Sequence, residues 1–230
     1  MRNVIVFILA VATAALLSWN LYKIFFVLPD QVVNVGAYKI IYFHVPGAFT
    51  AFTGFFVALM TSILYLRSGN LMYDSFAAGV TEVALVFATV NLVTGPIWAW
   101  FAWGEDSWWV WDARLTSMLV CWLMYASYLI LRLAITEPSQ RARLSAVLSI
   151  FGCVNVLFVY KSIEWFEQQQ HPSPVLSIRN GGGMGPGMEA PIYWNYLAFL
   201  CMASILVMVR MRQQEVSREI DSLRRLAYSH

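Results

Sequence analysis

Two kinds of residue in this sequence could do chemistry: three histidines and a knot of tryptophans. His44, His171 and His230 are the histidines. A neutral imidazole offers one lone pair to a metal and one N–H to an acceptor, and it suits iron among the common metals. The tryptophans crowd into Trp98-Ala99-Trp100-Phe101-Ala102-Trp103-Gly104-Glu105-Asp106-Ser107-Trp108-Trp109-Val110-Trp111-Asp112, which holds six of the ten in the chain. An indole has a broad apolar face and a single N–H donor, so it serves where one side is greasy and the other wet. An interfacial aromatic belt is the ordinary use of such residues in membrane proteins. A belt needs one or two at each span end, whereas here six fall within fourteen positions. That density favours a platform for a flat ligand.

The histidines sit in telling places. His44 lies in Tyr42-Phe43-His44-Val45-Pro46-Gly47, His171 in Gln168-Gln169-Gln170-His171-Pro172-Ser173, and His230 ends the chain. Taken singly, each reads most simply as an exposed or satisfied side chain. Together, His44 and His171 flank the tryptophan stretch. Two imidazoles on opposite faces of an iron porphyrin, with indoles against the macrocycle, would fit these parts.

The elements that must position them are membrane helices. The 230 residues are 60% hydrophobic and only 12% charged, with mean hydropathy +0.62. A soluble domain has about a quarter charged residues. The net charge of +2 is too small to argue for nucleic acid. Six apolar segments are long enough to span a bilayer, near Val4–Leu28, Val45–Leu66, Ala77–Trp98, Ala113–Leu131, Leu144–Tyr160 and Tyr193–Val209. The expectation is one all-α, polytopic bundle over residues 1–230, because hydrocarbon leaves no other partner for backbone groups. The first segment is too long for a signal h-region and reads as retained. The fifth is at the short end of the usual range, so its borders are the least secure.

Six spans put both termini on one side, with Arg2, Arg67, Arg132, Arg141, Arg143, Arg210, Arg212, Arg218, Arg224 and Arg225. The other side receives Lys23, Lys39, Arg114, Lys161 and Arg179. The positive-inside rule makes the ten-residue side cytoplasmic. The tryptophan stretch, between helices 3 and 4, is then an outer loop shared with His44 and His171. A tail over 210–230, with Val216, Ile220 and Leu223 at helical spacing, prolongs the sixth helix beside anionic lipid.

Trp103-Gly104 followed by Trp108-Trp109-Val110-Trp111-Asp112-Ala113-Arg114-Leu115-Thr116 resembles the tryptophan-rich motif of haem-handling membrane proteins. Tyr42-Phe43-His44-Val45-Pro46, Leu92-Val93-Thr94-Gly95 with Ile97-Trp98, and Ser162-Ile163-Glu164-Trp165 leading to His171 extend the resemblance over nearly the whole chain. With six spans, the chain is similar to the C component of the bacterial cytochrome c maturation system. The resemblance implies haem b bound at the periplasmic face of the inner membrane. It also implies presentation and transfer of that haem, without independent turnover, to a periplasmic chaperone (CcmE-type). A small single-span subunit (CcmD-type) and two ATP-binding cassette subunits (CcmA- and CcmB-type) are the other implied partners. Residue by residue, Trp103, Gly104, Trp108, Trp109, Trp111 and Asp112 match the motif, and His44 and His171 match the axial pair on the iron. Glu105-Asp106-Ser107 stand where the family has one residue, so the loop tip differs in shape.

Haem propionates need cations. Arg114 is the first candidate, because a guanidinium grips a carboxylate in a fork. An ion pair with Asp112 or a snorkelling interface position would serve Arg114 equally. Asp112 reads as the N-cap of the fourth helix, where a carboxylate accepts backbone N–H groups. Gly181 to Gly187 lacks the Gly-Lys-Ser/Thr ending of a phosphate loop. Cys121, Cys153 and Cys201 have no Cys-x-x-Cys spacing and read as small apolar residues. Gly95-Pro96 should kink the third helix. Two rivals remain: a permanent-haem electron-transfer cytochrome, which would bury its histidines inside the bundle, and a haem-transporting channel. For the channel, Glu82, Asn91, Thr94 and Asn155 are the only polar hints of a route.

Overall fold

The computed structural model describes residues 2–28, 36–104, 108–166 and 187–228. They form α1 (Arg2–Tyr22), α2 (Ile41–Ser68), α3 (Leu71–Trp103), α4 (Ala113–Ala134), α5 (Pro138–Trp165) and α6 (Ala190–Tyr228). A π-helical turn, Lys23–Val27, continues α1, and a 3-10 turn, Ala37–Ile40, leads into α2. All six helices are long and apolar enough to cross a membrane. The protein is a multi-pass, all-helical membrane protein.

The starts of α3 and α5, which lie before their apolar stretches, each have a local cause. At the start of α3, Asn70 accepts the backbone N–H of Met72 at 2.9 Å. At the start of α5, Glu137 takes the amides of Ser139 and Gln140, with Pro138 in the first turn. Those capping amides hold the Glu137 carboxyl below the usual carboxylate range. The fifth helix is therefore not short. Its polar opening, Pro138 to Arg143, is simply helical as well.

α2 is the hub, packed against α3, α5 and α6, while α1 lies outside against α6 and α4 pairs with α5. Lipid supplies no hydrophobic drive for helix association, so close packing by small side chains matters most. Gly54 of α2 shows this: an added Cβ would fall 2.7 Å from the Cβ of Ala84 on α3. Deeper, Ala51, Phe55, Ala84, Phe87, Ala88, Met118, Cys121, Tyr125 and Phe199 form the core. The Phe55 and Tyr125 rings stack with centroids 3.7 Å apart, 4° from parallel. The three cysteines are free thiols, and Cys121 is buried in this core.

α2 also runs straight through Pro46, four residues after Tyr42. A proline in a helix has no N–H for the carbonyl one turn back. Asn195 of α6 supplies the missing donor: its Nδ2 reaches the Tyr42 carbonyl at 2.7 Å. Its Oδ1 in turn accepts from Asn20 of α1 at 3.0 Å. Both asparagines are buried. One side-chain amide thus replaces the lost backbone bond and ties three helices together, so the second helix begins at Ile41 instead of Val45.

Candidate haem-binding site

α3 is unbroken through Pro96 and ends at Trp103, so Trp98, Trp100 and Trp103 are helical and not part of a loop. Gly104 stops the helix in the left-handed conformation, φ 64°, and its N–H returns to the Trp100 carbonyl at 3.2 Å. Only glycine adopts that conformation without strain. The motif glycine therefore has a definite mechanical job. Residues two apart on a helix of about 3.6 residues per turn point in nearly opposite directions. Accordingly Trp98 is half-buried while Trp100 is exposed. Trp98 and Trp100 therefore face different sides of α3.

The remaining three sit in the stretch before α4. Trp108 packs edge-on against Trp100, centroids 4.4 Å apart at 72°. Trp109, half-buried, meets Trp111 edge-on at 5.8 Å and 71°. Trp108 and Trp111 are 63% and 77% exposed, so each leaves a broad apolar face open. Asp112 fixes the base of this stretch. Its Oδ1 accepts the backbone amides of Arg114 at 2.7 Å and Leu115 at 2.9 Å, as an N-cap does. Arg114 is half-buried, and its guanidinium reaches the Tyr160 carbonyl of α5 at 3.5 Å, the long limit of a hydrogen bond.

His44 stands in the first turn of α2, half-buried against α3. Its Nδ1 lies 2.8 Å from Thr94 Oγ1. The Thr94 hydroxyl also sits 2.7 Å from the Val90 carbonyl and 3.3 Å from that of Asn91. If its one proton goes to a carbonyl, it accepts from His44, which puts the ring proton on Nδ1 and the lone pair on Nε2. Asn91, buried on the same face of α3, places Nδ2 3.0 Å from Nε2, 3.3 Å from Nδ1 and 3.2 Å from the His44 carbonyl. A donor in the plane of the ring, on the Nε2 lone pair, would be far from Nδ1. Near-equal distances put the amide over the ring face, with the carbonyl as its proper acceptor. The α-carbon of Gly95 faces the same ring: an added Cβ would meet His44 Cε1 at 3.4 Å and Leu115 Cδ1 at 3.1 Å. Leu115, in the first turn of the helix that Asp112 caps, thus borders the same spot on α3 as the His44 ring.

The sequence offers Asn91 and Thr94 only as hints of a route under the rival channel reading, and sequence reasoning missed them as partners of His44. Their fourfold spacing from Val90 and Gly95 along one face of α3 was the available signal. The other hints of a route have local partners too. Glu82 pairs with Arg210 of α6 through two guanidinium nitrogens, and Asn155 donates to the Ser117 carbonyl at 3.2 Å. His171, His230, Arg179, the Glu105–Ser107 insertion and the glycines from 181 to 185 lie outside the described residues, as does the side chain of Trp103.

Comparison with known proteins gives this arrangement a context. The family model described as heme exporter protein C matches residues 1–226. The chain belongs to the heme exporter protein C family. It is 30% identical to heme exporter protein C of Bradyrhizobium diazoefficiens over 221 residues, covering 96% of this chain and 82% of that protein. Against the Paracoccus denitrificans protein of the same name, identity is 30% over 93% of this chain and 86% of the relative. A mitochondrial protein of Marchantia polymorpha, named for cytochrome c biosynthesis, is 26% identical over 86% of this chain. The family match spans the stretches that carry His44, Asn91, Thr94 and Asp112.

Proposed function

We propose that this protein binds haem b at the periplasmic face of a bacterial inner membrane and hands it to a periplasmic haem chaperone during cytochrome c maturation. The observation that carries the reading is His44: its Nδ1 lies 2.8 Å from Thr94 Oγ1, Gly95 borders both its ring and Leu115 beside the N-cap Asp112, and two indole faces are exposed in the stretch before α4. Those parts suit an iron porphyrin: an imidazole for one axial position, apolar planes for the macrocycle, and Arg114 for a propionate. His171 is the proposed second axial ligand. The printed names of the relatives, haem exporters and a cytochrome c biosynthesis protein, support the same reading.

Both termini are assigned to the cytoplasm on the ten-to-five split of basic residues. Arg67 and Arg132 fall at the last turns of α2 and α4, at one end of the bundle. The chaperone is a CcmE-type protein, and a CcmD-type single-span subunit with CcmA- and CcmB-type ATP-binding cassette subunits completes the complex. The protein's part is presentation and transfer, with no turnover of its own. The channel reading loses support because Glu82, Asn91, Thr94 and Asn155 all have local partners.

The test is purification in mild detergent, with an absorption spectrum before and after addition of the chaperone. The expected spectrum is low-spin and six-coordinate. His44→Ala and His171→Ala should each move it toward a five-coordinate or exogenously ligated form, while His230→Ala should leave it alone. An unchanged spectrum in both outer variants would remove the axial assignment.

A further inference from the structure

We infer that Thr94 and Asn91 of α3 are positioning residues for His44, setting its tautomer and its ring plane so that Nε2 faces the iron. The inference rests on His44 being an axial ligand, and it adds what makes the imidazole competent. Three observations carry it. The Thr94 hydroxyl lies 2.8 Å from Nδ1 and 2.7 Å from the Val90 carbonyl, so by donating to the carbonyl it is left as an acceptor for Nδ1–H. The Asn91 amide lies over the ring while bonded to the His44 carbonyl at 3.2 Å. On that same face Gly95 leaves no atom that would push the ring out of place: its missing Cβ would have met Cε1 at 3.4 Å.

The chemical consequence follows from imidazole itself. A ring free to rotate or to exchange tautomers presents N–H to the iron part of the time, and N–H does not ligate. A hydrogen bond from Nδ1–H to an acceptor holds the proton away from Nε2. It also raises the electron-donating power of the ring, which favours ferric over ferrous iron. Loss of such a partner at metal-bound histidines weakens the bond by about 10- to 100-fold. Thr94 acts on the electronics and Asn91 on the orientation. Neither touches the iron.

The experiment uses the full chain, purified in detergent and loaded with hemin, in wild-type, Thr94→Val, Thr94→Ser, Asn91→Leu and His44→Ala forms. Two readouts are taken: displacement of the axial imidazole by carbon monoxide in the ferrous protein, and the reduction midpoint by spectroelectrochemistry. Valine has the shape of threonine and no acceptor. Thr94→Val should be half-displaced at about 10- to 100-fold lower carbon monoxide and show a higher midpoint. Thr94→Ser, which keeps the hydroxyl, should restore both. Asn91→Leu should ease displacement while shifting the midpoint less than Thr94→Val does.

Wild-type behaviour of Thr94→Val overturns the inference, as does a Thr94→Ser protein that stays defective although it accumulates and runs monodisperse. If Thr94→Val does not accumulate in membranes, Asn91→Leu decides, and wild-type displacement there overturns the inference as well. His44→Ala separates this outcome from failure of the functional reading. Where His44→Ala loses the six-coordinate spectrum and Thr94→Val does not weaken it, only the positioning role falls. Where His44→Ala keeps that spectrum, the ligand assignment falls with it.

Discussion

The two ends of the bundle use their polar residues in opposite ways. At the end where α2 stops and α3 starts, polar groups cancel one another. Arg132 of α4 grips both oxygens of buried Asp74 on α3, at 2.5 and 2.9 Å, and Tyr65 donates to the Ser139 carbonyl at 3.1 Å. At the end with the tryptophans, polar groups orient a side chain instead. Thr94 and Asn91 are spent on one imidazole, Asp112 on one helix start, and the indoles of Trp108 and Trp111 stay open. One end closes the fold; the other leaves a surface unfinished. Indole faces that no other described residue covers suit a flat apolar ligand or lipid.

The contrast breaks most easily at the closed end. Removing one partner of a buried ion pair leaves an uncompensated charge and costs about 3–5 kcal/mol. Asp74→Ala should therefore lower the thermal unfolding temperature in detergent more than any other single change considered. Asp74→Ala combined with Arg132→Met should recover much of the loss, since the stranded charge is gone. Haem that does bind should keep its wild-type spectrum in both proteins. A shifted spectrum would mean that the two ends are coupled and the division of labour is wrong.

At the open end, the effect should fall on haem and spare the fold. Replacing Trp108, Trp109 and Trp111 together by alanine removes three ring contacts, each worth roughly 0.5–1.5 kcal/mol beyond area burial. Haem per protein should drop by about one to three orders of magnitude in affinity. Trp19 and Trp194 are the controls for interfacial anchoring. Trp122, another tryptophan outside the motif, cannot serve as one, because its Nε1 donates to Thr89 Oγ1 of α3 at 2.8 Å. Normal haem content in the triple variant, with normal insertion, would reduce the stretch to a belt.

Asn195→Ala tests whether the open end depends on the helix that carries His44. It strands the Tyr42 carbonyl that Pro46 has left without a backbone donor, at a cost of about 1–3 kcal/mol. Tyr42 is two residues before His44, so thermal stability and carbon monoxide displacement should both change. Asn195→Asp keeps an acceptor for Asn20 and loses the donor to Tyr42, so it should resemble Asn195→Ala. A protein in which only stability falls would show α2 rigid enough without its brace.

This brace also shows where the sequence stops being readable. The six helices follow from apolar segments of the right length, and Asp112 as a cap follows from its place before an apolar run. Both are local signals. The second helix starts at Ile41 and not at the expected Val45, and the residue that replaces the bond Pro46 cannot make, Asn195, is supplied by the last span. Glu82 lacked a stated role for the same reason, its partner being Arg210 of α6. Asn91 and Thr94 looked like isolated polar residues in a span until α2 laid His44 across them. The tryptophans misled in a different way. Their density was legible, but Gly104 decides which of them end a helix and which enter the loop.

Two glycines near the site separate conformation from space, and the subtlest prediction concerns them. Gly104 has φ 64° with nothing among the described residues within 4 Å of an added Cβ, so alanine there meets backbone strain and no described neighbour. Gly95 is the reverse. It lies within α3, where alanine is favoured over glycine by about 1 kcal/mol. Its added methyl would press on Leu115 Cδ1 at 3.1 Å and His44 Cε1 at 3.4 Å. The end of a leucine side chain can give way, whereas the imidazole is held by Thr94 and Asn91 and has less room to move. Gly95→Ala should thus leave the unfolding temperature unchanged or slightly raised, while haem is held more weakly and displaced more easily. Gly104→Ala should lower stability by about 1 kcal/mol, the ordinary cost of a left-handed residue, with a smaller effect on displacement. Thermal unfolding and carbon monoxide titration of the same preparations read both. If Gly95→Ala binds haem as the wild type does, His44 is free to shift along α3, and the close fit between that ring and helix α3 has no part in binding.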